Sequence, residues 1–365
     1  MKILFLAPYP LKSSPSQRFR FEQYFNALHK AGHRYTFQSF LTPNGWRVIY
    51  SKGNPILKAW AIFVGFLRRF NILASVIDYD IVFIHRELAP LGPPLFEWVI
   101  AKLFRKKIVY DFDDAIWLTD VKGEAWLPKI LRSRSKVKSI IRWSYTISCG
   151  NEFLCNYARQ FNTRVKYNPT TIDTTYHRPI EQSKKVNELI IGWTGSHSTL
   201  KYLDSIVPVI KHLGKKYPDL VFMVIANKKP DIEVSNLSFI TWNEKSEIED
   251  LSKIDIGIMP LPDDEWSKGK CGFKLLQYMA LEKPSVASPV GVNTTIITNG
   301  KDGLICQSPN EWIAALEKLI VDPQLRTRLG KEGRRKVEDS YSVLSNTANF
   351  LALFSESAII TKATR

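Results

Sequence analysis

Residues 255–293 read DIGIMPLPDDEWSKGKCGFKLLQYMALEKPSVASPVGVN. A short apolar run, Ile256–Met259, stops at Pro260. A polar loop carrying Lys268 and Lys270 follows, then helical spacing from about Gly272, then a second short apolar run, Ser285–Ser288. Buried-strand runs alternating with helical periodicity predict parallel strands joined by helices. Lys274 and Gln277 stand three residues apart in the first turns of the helix and therefore share one face. A helix N-terminus offers free N–H groups and partial positive charge, so the loop with Lys270 and Lys274 could hold a diphosphate, with Gln277 reaching ribose hydroxyls. Local composition alone also fits a solvated lysine cluster.

The same alternation extends in both directions. Downstream lie GLIC and a final helical run. Upstream, Leu189–Trp193 is a predicted strand, Thr194–Thr199 a small-residue turn and Leu200–Gly214 an amphipathic helix, followed by strands at VFMVIA and Leu237–Trp242. Residues 168–189, NPTTIDTTYHRPIEQSKKVNEL, are polar, hold two prolines and lack periodicity, which marks a connection. Before it the pattern starts afresh with a strand at Lys2–Ala7, a helix from about Arg18 to Ala31, and strands at Ile81–His85 and Ile108–Tyr110. The expected fold class is α/β, with two tandem Rossmann-like domains facing each other across a cleft at the carboxyl ends of their strands. The expected limits are residues 1–170 and 189–340, a linker at 171–188, and a terminal helix at 341–365 that packs back on the first domain. A length of 365 residues suits two cores.

Composition sets further bounds. Hydrophobic residues make up 45% and aromatics 12% of the chain, which excludes a disordered or fibrous protein. The net charge of +16 is lopsided: residues 1–180 hold 27 basic and 12 acidic side chains, a net of +15, and the remainder is nearly neutral. A field concentrated on one domain implies an anionic partner. Four cysteines are too few for a disulfide framework and none is spaced for zinc, so a reduced, cytoplasmic protein is expected. The N-terminus reads as a strand and not as a signal peptide, and no apolar run is long enough to span a bilayer. Ala59–Leu67 comes nearest, between Lys58 and the pair Arg68 and Arg69. Leu127–Ser144 sets six basic residues, Lys129 to Arg142, among Ile130, Leu131, Val137, Ile140, Ile141 and Trp143, the composition of a membrane-surface helix. Its other reading is a solvated helix packed by its apolar stripe. No zinc finger, helix-turn-helix or RNP-like motif accompanies the charge, so nucleic acid is not the expected partner.

Several side chains fall at predicted strand ends. Gly195 permits close backbone approach, and Ser196 and Ser198 offer hydroxyls at a helix start, although such turns often only cap a helix. Trp242 could stack on a donor base or lie in the core. VYDFDDAIW sets Asp111, Asp113 and Asp114 together; phosphatase-type Asp-x-Asp, divalent-metal and acceptor-positioning roles all suit three such carboxylates, as does plain pairing with a neighbouring arginine. Arg86, Arg18 and Arg20 would open onto the same cleft and suit an anionic group. His85 reads as a satisfied strand-end histidine more than as a base.

The helix and strand FKLLQYMALEKPSVASPVG, the turn IGWTGSHSTLKYL and the stretch YNPTTIDTTYHRP resemble the donor-site segments of family-four glycosyltransferases of the GT-B fold. That resemblance covers the second half of the chain and, more loosely, the first. It implies a retaining, metal-independent transfer from a nucleotide-diphosphate sugar to a hydroxyl of a glycan or lipid-linked acceptor, with no cofactor required, in cell-surface polysaccharide or glycolipid synthesis. The enzyme would sit at the inner face of an anionic membrane. Lys201 then stands near one of the family's basic positions and Ser196 near the other. The family's pair of glutamates falls on Gly269 and Gln277, and its usual glycine falls on Glu282. On this reading Gly195, Ser196, Lys201, Trp242, Lys270, Lys274 and Gln277 bind the donor. Asp113 and Arg86 act with Lys274 in transfer, and Arg18, Arg20 and Asp114 hold the acceptor. A binding protein that has lost catalysis, and a metal-dependent phosphotransfer enzyme built on the aspartates, are the alternatives.

Overall fold

Among the described residues, twelve parallel strands form two six-stranded sheets. The structure is a computed structural model in which residues 1–119, 131–180 and 188–355 are described. The first sheet contains β1 (Lys2–Ala7), β2 (Arg34–Ser39), β3 (Ile81–His85), β4 (Lys107–Phe112), β5 (Thr146–Cys149) and β6 (Val165–Tyr167), in the order β2-β1-β3-β4-β5-β6. The second contains β7 (Leu189–Gly195), β8 (Leu220–Ala226), β9 (Leu237–Thr241), β10 (Ile256–Met259), β11 (Ser285–Ala287) and β12 (Leu304–Ile305), in the order β12-β11-β10-β7-β8-β9. The second is the six-stranded dinucleotide-fold order. In the first, β3 passes to the other side of β1, as in the flavodoxin-like order. In each sheet the strand order reverses at one point, between β1 and β3 and between β7 and β10, and ligands of such sheets bind at the carboxyl ends there.

The chain divides into two compact units, Met1–Thr170 with Thr347–Arg365, and Thr171–Asn346. In the first, Ile3–Ala7 of β1 are wholly buried, as strands covered by helices on both faces must be. Phe350 stacks on Tyr24 at 4.3 Å between ring centroids, and Lys166 donates to the Ala352 carbonyl at 2.6 Å. In the second unit, Ile191, Trp193, Phe222, Val224 and Ile258 are buried in one core with Trp312 and Leu316 of the helix Pro309–Val321.

Two helices differ from the sequence expectation. Instead of one helix from Arg18, a short turn of helix at Pro15–Arg18 is followed by a 3-10 turn at Glu22–Tyr24 and a helix at Phe25–Lys30. The break falls where Arg20 turns into the core. Instead of one helix over 200–214, a 3-10 segment at His197–Ser205 precedes the helix Val207–Lys216. Pro208 lacks an N–H and is tolerated only in a first turn, so the α-helix starts anew there.

Candidate active site

In the second unit the end of β7, the turn after it and the start of the helix Phe273–Ala280 meet at Trp193. The Trp193 ring is 1% exposed, and a Cβ added to Gly195 would lie 2.3 Å from it, so no other residue fits at 195 without displacing the indole. Lys274 reaches the same ring from the helix, its Nζ 5.3 Å from the centroid. The turn itself is exposed and closed on itself: the Ser196 N–H donates to Thr199 Oγ1 at 3.2 Å, and the Thr199 N–H and hydroxyl each donate to the Ser196 carbonyl at 3.0 Å. Ser196 and Ser198 share a hydroxyl contact of 2.9 Å, and the His197 N–H donates to Asn227 at 2.7 Å.

Gly272 caps the lysine-bearing helix with φ of +69°, and a Cβ there would come within 2.2 Å of Ile296. Glycine is thus demanded twice, by conformation and by space. No acidic residue stands in the first turn of this helix, so Lys274 sits against the positive end of the helix dipole. That is unfavourable by about 0.3–1 kcal/mol unless an anion joins them. Half-buried Lys270 is 4.8 Å from the Trp266 ring. Lys268 is instead a solvated ion pair with Asp263 and Glu265, and Lys201 lies over its neighbour Tyr202 at 5.7 Å.

Gln277 corrects the sequence expectation. Gln277 is 3% exposed and its amide donates to Glu247 at 3.2 Å; the half-buried Trp242 indole donates to the same oxygen at 3.2 Å. The Gln277 amide, expected to face outward to ribose, is turned inward onto a buried carboxylate that the Trp242 indole N–H also meets. Glu247 was not marked by its sequence. It follows an ordinary polar turn, and only the tertiary fold sets a carboxylate beside position 277, where the resemblance expects one.

In the first unit, strand register decides the chemistry. His85 of β3 and Ser148 of β5 both pair with Asp111 of β4, so three polar side chains form a row across the sheet. All three are 0% exposed. Ser148 Oγ donates to Asp111 at 2.6 Å, His85 Nδ1 lies 2.8 Å from the other carboxylate oxygen, and the buried Arg20 guanidinium pairs with the same group and with the Asn168 carbonyl. Burial alone would raise the Asp111 pKa, but the charge of Arg20 and the His85 hydrogen bond outweigh it and hold the carboxyl well below the usual range. Arg20 is therefore part of the core and not an acceptor-binding cation. His85 Nε2 is buried without a hydrogen-bond partner among the described residues, so the histidine is satisfied at one nitrogen only.

Just past the ends of β3 and β4 the groups are less deeply buried. Arg86, held at φ of 61°, donates to Asp113 through Nε at 2.9 Å and Nη2 at 2.7 Å, and to Asp114 at 2.8 Å. Burial would lower the Arg86 pKa, but the two carboxylates raise it above its ordinary value. Sequence reasoning thus placed Arg86, Asp113 and Asp114 together, and the structure joins them. It did not foresee the rings beside them: Tyr9, after β1, lies 4.6 Å from Trp46, which lies 4.3 Å from Tyr50. Thr42 and Pro43, a cap followed by a first-turn proline, were the only local signal that a helix presents Trp46. Arg18 is half-buried, 4.9 Å from the Phe19 ring.

Of the roles the three aspartates could take, pairing with a neighbouring arginine is the one seen: Asp111 meets Arg20, Ser148 and His85, and Asp113 and Asp114 meet Arg86. Among the described residues no group of three or more His, Cys, Asp or Glu side chains could hold a metal ion. The helix expected at Leu127–Ser144 is also corrected. Residues 127–130 lie outside the described residues, Val137, Ile140 and Ile141 are buried, and Lys136 is spent on the Ala89 carbonyl and Glu87, each at 2.7 Å.

A strand, glycine turn and basic helix start at the reversal point of a dinucleotide-type sheet narrow the families to which the second unit could belong. Residues 188–322 match the model of Glycosyl transferases group 1. That match covers a little over a third of the chain. A Bacillus subtilis (strain 168) protein named for teichuronic acid biosynthesis, glycosyltransferase TuaH, is 22% identical over 294 residues, 73% of this chain and 67% of that protein. Sucrose-phosphate synthase from Thermosynechococcus elongatus superposes with a TM-score of 0.72 at 13% identity, covering 97% of this chain and 98% of the other. A glycosyltransferase from Rickettsia africae gives 0.69 at 12%, covering 99% of each chain. Anabaena HepE, solved with UDP and glucose, gives 0.66 at 12%, covering 98% and 100%. At these identities the likeness carries the fold, which is that of the GT-B glycosyltransferases.

Proposed function

We propose that the chain transfers a sugar from a nucleotide-diphosphate donor to a hydroxyl of a glycan or lipid-linked acceptor, with retention, in cell-surface polysaccharide or glycolipid synthesis at an anionic membrane surface. The observation that carries the donor site is the position of Lys274, stacked on the Trp193 ring that also fills the space at Gly195. One ammonium, the N–H groups of a helix start and an exposed hydroxyl turn converge at the carboxyl ends of β7 and β10. That combination suits a diphosphate. Lys270 adds charge from the loop.

Charge grows on the diphosphate as the sugar departs. Groups already aimed at it accelerate transfer because they need not reorganise. Lys270, Lys274 and the Gly195–Ser196 turn take that role. Loss of the donor phosphate's bond to the sugar leaves an oxyanion that accepts the incoming hydroxyl's proton as that hydroxyl's oxygen bonds to the sugar, so the step needs no side-chain base. Ser196 and Lys201 border the same turn.

The acceptor falls to the first unit. Asp113 and Asp114 accept hydrogen bonds from sugar hydroxyls, Arg86 holds both carboxylates in place, and the Tyr9, Trp46 and Tyr50 rings offer apolar faces against which pyranose rings stack. Support for a nucleotide sugar comes from HepE, whose structure contains UDP and glucose, and support for a cell-surface product comes from the name of the Bacillus relative. A thermal-shift screen of nucleoside diphosphates and their sugars tests the reading, since a bound donor raises the melting temperature by mass action. No shift with any of them at millimolar concentration would refute it.

A further inference from the structure

The helix Pro55–Leu73 is turned inside out relative to an ordinary surface helix. Its inward face consists of Ala61, Gly65 and Arg69, the three residues that are buried. A Cβ on Gly65 would lie 2.4 Å from the Phe40 ring, and Arg69 is spent on backbone: its guanidinium donates to the Leu88 carbonyl at 2.9 Å and the Ala7 carbonyl at 2.7 Å. The packing surface is thus made of small residues and one clamped cation. The opposite face carries Ile56, Trp60, Phe63, Leu67 and Phe70, at successive steps of four, three, four and three residues, with exposures of 82, 60, 50, 45 and 55%. A soluble helix buries its apolar stripe; here the stripe is outside.

The patch does not end with the helix. Phe96 contacts Phe66 and Phe70 at 6.1 and 5.1 Å, bringing the short helix Leu95–Trp98 alongside, and Leu95 and Trp98 are 52 and 44% exposed. A contiguous exposed apolar surface of this kind marks an interaction site. Its electrostatics identify the occupant. Residues 40–77 contain no Asp or Glu, and four basic residues, Arg47, Lys52, Lys58 and Arg68, lie outside the core, the fifth, Arg69, being clamped inward. A second copy of the same face would set like charge against like charge. A negatively charged lipid surface would attract it, and tryptophans favour the boundary between head groups and acyl chains. None of the described helices is long and apolar enough to cross a membrane, so this one would lie in the plane of the surface.

We propose that the Ile56–Phe70 face is the seat by which this protein docks on an anionic lipid bilayer, with Trp60 and Phe63 inserted among the acyl chains. This rests on the reading that the chain works at a membrane surface, and it moves the attachment from residues 127–144 to the helix Pro55–Leu73. The test is co-sedimentation of the full chain with sucrose-loaded vesicles of phosphatidylcholine alone and of phosphatidylcholine with phosphatidylglycerol, at low and high salt. The double variant Trp60→Ser with Phe63→Ser alters only exposed positions, and circular dichroism confirms its fold. Leu344→Ser, at another exposed apolar residue, is the control. The expected result is binding to the anionic vesicles that weakens with salt, falls at least about tenfold in the double variant, and is unchanged in Leu344→Ser. Undiminished binding of the double variant overturns the proposal. So does absence of binding by the wild-type chain, or a dimer in light scattering that the double variant dissolves. A nucleoside-diphosphate thermal shift in the same preparations reports on the donor site separately, so loss of the membrane seat and loss of the transferase reading are distinguishable.

Discussion

Replacing Lys274 by Ala separates donor binding from folding. In the folded chain the ammonium has a cation–π contact with Trp193 at 5.3 Å, worth about 0.5–1 kcal/mol at a partly exposed site. Against this, it opposes the dipole at the start of its own helix, at a cost of about 0.3–1 kcal/mol. The two nearly cancel, so the variant's melting temperature should stay within about 2 °C of the parent's. With a diphosphate bound, the dipole and the lysine act together on the anion. A charge-assisted hydrogen bond contributes about 1.5–3 kcal/mol. At 1.4 kcal/mol per decade, its loss weakens nucleoside-diphosphate affinity about tenfold to a hundredfold. Isothermal titration calorimetry with the tightest-binding nucleoside diphosphate measures this, and Lys274→Arg should retain most of the affinity. An affinity within about twofold of the parent's would remove Lys274 from the donor site. A melting point lowered by many degrees would show instead that the lysine is structural.

Other outcomes follow from the same contacts. Asp113→Asn weakens one of Arg86's two carboxylate partnerships; transfer to acceptor should fall at least tenfold while nucleotide affinity stays unchanged, and equal loss of both would contradict an acceptor-side role. Glu247→Ala strips the acceptor from Trp242 and Gln277 and should destabilise the second unit by about 1–3 kcal/mol in urea unfolding. Glu282 ends its helix in the left-handed region, φ +56°, with the Lys283 N–H bonded to the Tyr278 carbonyl, so Glu282→Gly should stabilise by about 0.5 kcal/mol: about 1 of relieved strain less about 0.5 of added unfolded-chain entropy. Asp111 has a lowered folded-state pKa, so its contribution is complete above the unfolded value near 4 and is lost as pH falls through the lower folded value. Acid titration of stability should therefore be flatter below about pH 4 in Asp111→Asn, which also loses about 3–5 kcal/mol at neutral pH because the buried Arg20 loses its counter-charge.

The strand and helix periods of this sequence, its lysines at the start of the helix Phe273–Ala280 and the crowding of Asp111, Asp113 and Asp114 were legible without a structure, because they are local. Gly195 was legible as a turn, but not the reason for it, which is the returning Trp193 ring two residues earlier. Arg20 and Arg86 look alike as arginines at strand ends, yet one is wholly buried on Asp111 and the other part-buried on Asp113 and Asp114, a distinction made by a broken helix and by strand register. Glu247 and Gln277 lie 30 residues apart and carried no mutual signal.

The sequence by itself determined what depends on neighbours in the chain: two α/β halves, a charge imbalance of +15 in the first 180 residues, and a basic helix start suited to a diphosphate. Only the tertiary structure decided which polar groups are spent on each other and which face outward. Hydrophobic periodicity could not reveal that the helix Pro55–Leu73 shows its apolar side to solvent. Periodicity records that one face differs from the other, whereas the direction in which that face points is set by the packing of Ala61, Gly65 and Arg69 against residues distant in the chain.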